Sequence, residues 1–381
     1  MTNTETTSQR VVVAMSGGVD SSVAAGLLKE QGYDVIGVTM QIWPKADAPK
    51  VGGCCSLSAV EDARRVAAKL GIPHYVMNFR EPFARLVIDN FVEEYRRGHT
   101  PNPCVRCNQL VKFDLLLERA RGLGAEHIAT GHYARVCYDD GRRRWLLKRG
   151  IDRSKDQSYA LYTMTQEQLA HTLFPLGNIE KEETRRIAES LGLVVADKPE
   201  SQDICFVPEI GYRNFLRAVA PDIVKKGPIM DTKGNVVGEH EGIAFYTVGQ
   251  RRGLGIAAQK PLYVLKIDPE ANAVIVGEEE ELYARRFAAK DVNLISMETI
   301  TRPLAVSASI RYNMPDAPGI LRPLDEKWVE FEFDEPRKSV TPGQAAVFYV
   351  DEEVIGGGTI ADEREEENRK QAQGLAGTST G

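Results

Sequence analysis

Ser16-Gly17-Gly18-Val19-Asp20-Ser21-Ser22 lies between two apolar segments of different period. Val11-Val12-Val13-Ala14, before it, is a short continuous apolar run, as in a buried strand. Val23-Ala24-Ala25-Gly26-Leu27-Leu28, after it, pairs Val23 with Leu27 and Ala24 with Leu28, the spacing of a helix face. A helix therefore opens directly off a strand, through a turn made of Gly, Ser and Asp. Two glycines allow a tight bend and leave the backbone amides uncovered. The first N–H groups of a helix have no internal partner and point outward at the positive end of its dipole. Such a turn is an anion cradle, and phosphate is the anion expected. The alternative is a plain tight turn whose serines cap the helix.

Outward from this turn the pattern alternates. Asp34 to Met40 reads as a second buried strand, residues 57–70 as a helix ended by Gly71, His74 to Met77 as a strand, and Phe83, Val87, Phe91 and Tyr95 as a helix. The prolines of residues 98–108 argue against a helix there. Helical spacing resumes at Phe113, Leu116, Leu117 and Ala120, and Glu126 to His132 reads as a strand. Alternation of this kind implies an α/β fold, a parallel sheet with ligands at the carboxyl ends of its strands. Tyr133 to Lys148 reads as a hairpin turning at Asp139-Asp140-Gly141, Ile179 to Leu191 as a helix, and Ser201 to Val207 as a strand. Beyond Gly211 the chain is mostly β, and Arg286 to Ile360 has the spacing of a small antiparallel barrel. The boundaries expected are a flexible N-terminus over 1–10, an α/β domain over 11–210, a β-rich central domain over 211–284, a C-terminal barrel over 285–362 and a disordered tail over 363–381.

The 381 residues, 43% hydrophobic and 27% charged, fit a soluble chain of two or three domains. The polar first ten residues exclude a signal peptide, no apolar run is long enough to span a membrane, and six cysteines are too few for a disulfide scaffold. A cytoplasmic protein with reduced thiols is expected. A formal charge of −6 does not mark a nucleic-acid binder, but eight basic side chains between Arg135 and Asp156 stand against four acids, a local excess suited to a phosphate backbone.

The turn has no lysine before its serine, so it is not a Walker loop. SGGVDSS instead resembles the PP-loop of the ATP pyrophosphatase superfamily. Cys104 and Cys107 form C-x-x-C ahead of a helix, where a thiol pKa falls and Arg106 would lower it further. A lone C-x-x-C is also compatible with incidental thiols, and Cys54, Cys55 and Cys137 read as structural. Taken in order, SGGVDSS, TPNPCVRCN, TGHYAR, KDQSYALY, SQDICFV, TVGQRRGLGI and TPGQAAVFY resemble the tRNA-specific 2-thiouridylases, from Val11 to about Ile360.

That resemblance implies a tRNA-uridine 2-sulfurtransferase acting on the wobble uridine, with ATP and Mg2+ as cofactors, tRNA and a persulfide donor protein (a cysteine desulfurase or relay protein) as partners, and a monomeric state. Ala14, Met15, Ser16, Gly17, Gly18, Val19, Asp20, Ser21, Met40 and Gly131 match its ATP site. Asp20 is read either as orienting magnesium or as a cap. Cys107 matches the nucleophile and Cys205 the persulfide-bearing cysteine. Asn102, Pro103 and Cys104 match the segment holding the target base; His132, Lys155, Asp156, Gln157, Arg311, Tyr312 and Gln344 match tRNA contacts. Some well-known members carry Asp where this chain has Cys104. The trio Cys104, Cys107 and Cys205 then resembles the cysteines of cluster-bearing thiolases, so two sulfur routes stay open, a Cys205 persulfide or an iron–sulfur cluster. Amidating ligases share the PP-loop but need no paired cysteines and lack the terminal barrel.

Overall fold

The computed structural model describes residues 8–42, 57–199, 204–207, 211–312 and 314–378. Cys54, Cys55 and the residues 201–203 lie outside these. The chain divides into two compact units. The first comprises Met1–Asp89, Pro103–Tyr212 and Glu352–Val354, the second Asn90–Asn102, Arg213–Asp351 and Ile355–Gly381. Among the described residues no helix is long and apolar enough to cross a membrane.

The first unit begins β1 (Arg10–Ala14), α1 (Val19–Glu30), β2 (Asp34–Gln41), α2 (Leu57–Leu70) and β3 (His74–Asn78). Next, α3 (Arg80–Phe83) runs through a π-helical turn (Ala84–Ile88) into α4 (Asp89–Arg96), whose residues from Asn90 on belong to the second unit. The helix expected from the Phe83-to-Tyr95 spacing is thus present but widened and under-wound in the middle by the π-helical turn. α5 (Pro103–Cys107) leads through a π-helical stretch (Asn108–Leu115) into α6 (Leu116–Arg121). β4 (His127–Ala129), the hairpin β5 (Ala134–Asp139) and β6 (Arg144–Arg149), α7 (Gln166–Ala170), β7 (Thr172–Leu173) and α8 (Lys181–Ser190) follow.

The sheet order is β3-β2-β1-β4-β7, with every neighbouring pair parallel. β1 is central: Val12 stands opposite Ile36 on one side and Ile128 on the other. Val11 and Val13 join a core with Val23 of α1, Val66 of α2 and Ala188 of α8. Val12, pointing to the opposite face, is equally buried, so both faces of β1 are covered. Each such valine contributes ~1.5–3 kcal/mol by leaving water, which explains the continuous apolar run. The connections reverse direction between β1 and β4, and the carboxyl ends of those two strands carry the phosphate turn and Thr130–His132. An open α/β sheet forms its ligand crevice at such a reversal.

The second unit contains α9 (Tyr212–Val219) from Arg213 on, and a four-stranded sheet of β8 (Gly227–Asp231), β9 (Val236–His240), β10 (Tyr263–Asp268) and β11 (Ala273–Gly277), in the order β10-β11-β8-β9. A six-stranded barrel follows: β12 (Tyr283–Leu294), β13 (Leu304–Ser309), β14 (Ala317–Pro323), β15 (Val329–Lys338), β16 (Ala345–Val350) and β17 (Glu353–Ile360). Its order is β12-β15-β14-β13-β16-β17, closed by antiparallel pairing of β12 with β17. Phe287, Phe331, Phe333 and Phe348 fill it, with the Phe331 and Phe333 rings 4.9 Å apart.

Three expectations are corrected. Pro103 does not prevent a helix over residues 98–108 but starts α5, where a missing N–H costs nothing and its fixed φ suits the first turn. Ile204 to Val207, the described part of the expected strand, is a turn. The stretch after Ala361, expected to be disordered, is helix α10 (Glu363–Thr378). Asp362 accepts a hydrogen bond from the Glu365 N–H (2.8 Å) and donates its own N–H to the Glu365 carboxylate (3.2 Å), a reciprocal cap. Lys290 pairs with Glu365, and Arg369 lies over the Trp328 ring, so charge that reads as solvated is anchored.

Candidate active site

The phosphate turn is held by its own hydroxyls. Gly17 takes φ +73°, and a side chain there would meet the Ala59 backbone of α2, its carbonyl carbon at 2.8 Å. Gly18 is the residue before α1 and receives no side-chain cap. Ser22 Oγ donates to the Gly18 carbonyl (2.8 Å); Ser21 Oγ donates to the same carbonyl (3.3 Å) and accepts the Ser16 N–H (3.1 Å). The serines therefore fasten the turn from inside α1 and do not cap its N-terminus, which removes the plain capping reading. Asp20 is no cap either. Its Oδ1 receives Lys181 Nζ at 2.6 Å and the Tyr133 hydroxyl at 2.8 Å. Ala14 ends β1, and Met15 and Val19 are buried beneath the turn.

The neighbouring strand ends close around it. Met40 stands near the end of β2, paired with Met77. Gly131 follows β4 and touches the turn: a Cβ there would lie 2.6 Å from the Ser21 nitrogen and 2.7 Å from the Asp20 carbonyl carbon. Only a glycine lets β4 approach α1 so closely. His132 is next, its Nδ1 2.6 Å from Thr130 Oγ1 and its ring between Phe113 and Phe174. Burial holds its pKa well below the ordinary value, and the Lys112 charge adds to this, so the imidazole is neutral near pH 7.

Cys104 is exposed at one end of α5 and Cys107 partly buried at the other; Cys205 is partly buried in its turn. Two contacts tie these thiols to one helix. Phe206, beside Cys205, packs edge-on against Phe83 with centroids 5.7 Å apart, and Arg106, beside Cys107, donates to the Leu86 carbonyl (3.3 Å). Phe83 and Leu86 are one helical turn apart. Asn108, buried next to Cys107, donates to the Ala160 carbonyl (2.9 Å). Gln157, three residues earlier, accepts the Tyr133 N–H (3.1 Å) and donates its own N–H to the Tyr133 carbonyl (2.9 Å), while the Tyr133 hydroxyl reaches Asp20. The thiol-bearing helix and the phosphate turn are thus fixed to the same short segment.

The residues matched to tRNA contacts are divided between the units. In the first, Asp156 shapes its own loop by accepting the Gly150 N–H (2.9 Å) and the Ser158 hydroxyl (2.8 Å). Lys155 is partly exposed, and Pro103 is buried ahead of exposed Cys104. The basic excess around the hairpin is partly met by acids distant in sequence: Arg135 and Arg153 pair with Glu352, Arg142 with Glu353. In the second unit Arg311 donates to the Val248 carbonyl (3.0 Å) and Thr341 Oγ1 (2.8 Å), Gln344 Nε2 donates to the Thr100 carbonyl (2.6 Å), Tyr312 is exposed and Asn102 partly so. Sequence reasoning missed Lys181, Lys198, Tyr133 and Asn108. Lys181 and Lys198 belong to no motif; the signal available was only that a phosphate turn without its own lysine needs one from elsewhere.

Family models match three consecutive stretches: a "tRNA methyl transferase HUP domain" over residues 9–209, a "tRNA methyl transferase PRC-barrel domain" over 213–278 and an "Aminomethyltransferase beta-barrel domain" over 284–360. The chain is 53% identical to the tRNA-specific 2-thiouridylase MnmA of Acetivibrio thermocellus, covering 92% of this chain and 99% of that one. It is 57% identical to the protein of the same name from Pelotomaculum thermopropionicum, over 92% and 97%, and 56% identical to that of Moorella thermoacetica, over 92% and 98%.

Proposed function

The chain belongs to the family of tRNA-specific 2-thiouridylases, and from that premise we propose that it uses ATP to exchange the 2-oxygen of the tRNA wobble uridine for sulfur. The uracil O2 attacks the α-phosphorus of ATP. A bond forms between O2 and that phosphorus, the bond to the bridging oxygen breaks, and pyrophosphate leaves with the electron pair. The Gly17–Ser21 turn and the N-terminus of α1 face the charge that builds on the phosphates. Magnesium, when bound with ATP, shares that charge, and Asp20 is the carboxylate this turn offers it.

Sulfur transfer uses the two partly buried thiols. Cys205 receives a persulfide from a donor protein, a cysteine desulfurase or relay protein; its outer sulfur attacks C2 of the base and AMP leaves. The Cys107 thiolate then attacks Cys205 Sγ. The sulfur–sulfur bond breaks, its electron pair passes to the sulfur on the base, and a Cys107–Cys205 disulfide remains for later reduction. His132, neutral and held by Thr130, presents an uncharged imidazole where the base is to be received, together with Pro103 and Cys104; Asn102, in the second unit, keeps the base-holding role that the resemblance gives it. Lys155, Asp156 and Gln157, and Arg311, Tyr312 and Gln344, belong to the tRNA-facing surfaces of their units. A wobble base already sits in a loop, so little unstacking is required. The reaction is placed in the cytoplasm, with its tRNA and ATP.

One observation carries this reading: Asp20, in the turn, and Asn108, the residue directly after α5, are hydrogen-bonded to one segment, the first through Tyr133 to Gln157 and the second to the Ala160 carbonyl. Cys104 and Cys107 are also one helical turn apart, a spacing two ligands of a single cluster can use, so the test covers both sulfur routes. Unmodified tRNA, ATP and a persulfide donor are incubated with the chain, and thiouridine is measured by mass spectrometry. Cys107→Ala and Cys205→Ala each lose thiolation; normal thiolation by either removes that cysteine from the mechanism. Protein purified without oxygen is expected to be active and free of iron and acid-labile sulfide, and activity that tracks bound iron would move the reading to the cluster route.

A further inference from the structure

We propose that Lys181 and Lys198 form the pyrophosphate half of the ATP site, supplying from outside the turn the cations that the turn itself lacks. Lys181 is the first residue of α8, and its backbone N–H is held by Asp152 (3.0 Å). α8 lies against α1, closely enough that a Cβ on Gly26 would meet Leu191 Cδ1 at 2.6 Å. That packing carries the Lys181 ammonium to 2.6 Å from Asp20 Oδ1, at the second residue of α1, with the residue only 8% exposed. Lys198 reaches the turn from another direction, its Nζ 2.9 Å from the Gly17 carbonyl and 2.7 Å from Asp62 of α2.

A buried ammonium beside a helix N-terminus is an electrostatically costly arrangement, because two positive ends meet in a weakly solvated place. Asp20 answers that cost in the free protein, and Tyr133 fixes its carboxylate through the 2.8 Å hydrogen bond. The same concentration of positive charge is what a departing pyrophosphate needs. As the bond from the α-phosphorus to the bridging oxygen breaks, the electron pair moves onto pyrophosphate and its charge rises. Two ammoniums, one beside Gly17 and one beside Asp20, stabilise the leaving group more than the intact triphosphate. Lysine suits this role as a compact point charge on a flexible stem.

This inference rests on the ATP reading above, and the test separates the two. The full chain with Mg2+ is titrated calorimetrically with ATP, inorganic pyrophosphate and AMP. Wild type binds all three; wild type that binds neither ATP nor AMP overturns the ATP reading itself. Lys181→Met is expected to lose ~10- to 100-fold in affinity for ATP and pyrophosphate while AMP stays within about twofold, since a charged hydrogen bond to phosphate is lost. Lys181→Arg recovers part of the loss. Lys198, about one-third exposed, is less needed for folding, so Lys198→Met carries the same expectation if Lys181→Met does not fold. Unchanged ATP affinity, or an AMP loss equal to the ATP loss, overturns the proposal.

Discussion

Replacing Gly17 by alanine tests whether the turn's shape is set by close approach or by backbone freedom alone. Gly17, at φ +73°, and Gly32, at φ +88°, are two of several first-unit glycines in the left-handed region. A methyl on Gly32 meets nothing within 4 Å, whereas one on Gly17 meets the Ala59 carbonyl carbon at 2.8 Å and its Cα at 2.9 Å, with the oxygen nearer still. Gly32→Ala therefore carries only the left-handed backbone cost, ~1–2 kcal/mol. Gly17→Ala adds the displacement of α2 or of the turn, ~1–3 kcal/mol more by analogy with an overpacked core, for ~2–5 kcal/mol in total. Urea unfolding of both variants measures the difference, and calorimetric titration with ATP measures its consequence. Gly32→Ala should bind ATP as wild type does; Gly17→Ala should bind at least about tenfold more weakly, because its amides no longer point into one cradle. Equal stability losses in the two variants, or wild-type ATP affinity in Gly17→Ala, would refute the argument.

His99 and Gln344 give two further expectations within the second unit. The buried His99 ring lies between Glu94 (Nδ1, 2.8 Å) and Asp362 (Nε2, 3.2 Å). Burial alone would lower its pKa, but the hydrogen bonds to Asp362 and Glu94 outweigh it and raise the pKa to about 9. A raised histidine pKa contributes stability that is complete below about pH 6.5 and lost as pH rises through about 9, here ~3 kcal/mol. His99→Gln should abolish that decline in urea-unfolding free energy, and a decline persisting in the variant would assign it to another group. Gln344→Met leaves the Thr100 carbonyl without its side-chain donor and should cost ~1–2 kcal/mol in the same assay; no measurable loss would mean that water replaces the amide.

What the residues revealed in advance depended on whether the deciding contact was local. The run at Val11 and the run at Val35 advertise buried parallel strands because apolar residues on both faces leave no alternation. The two-residue strand Thr172–Leu173 carries no period at all and becomes a strand only by pairing with Ile128 and Ala129. α5 was hidden because Pro103 breaks a helix anywhere except at its first position. Composition alone points the tail to disorder, whereas Asp362 followed three residues later by Glu365 is a helix-start signal. The phosphate turn was legible as a tight glycine bend between a strand and a helix. Lys181 was not, since 161 residues separate it from Asp20 and only the packing of α8 on α1 joins them.

The most direct measurement follows one labelled phosphorus. ATP labelled at the α-phosphate is incubated with unmodified tRNA and the chain carrying both Cys107→Ser and Cys205→Ser, so that sulfur transfer is blocked. Pyrophosphate should appear only when tRNA is present, in about one equivalent per active site, with the label recovered on the tRNA and no thiouridine formed. Pyrophosphate released equally without tRNA, or tRNA that never acquires the label, would contradict activation of the base by the glycine turn.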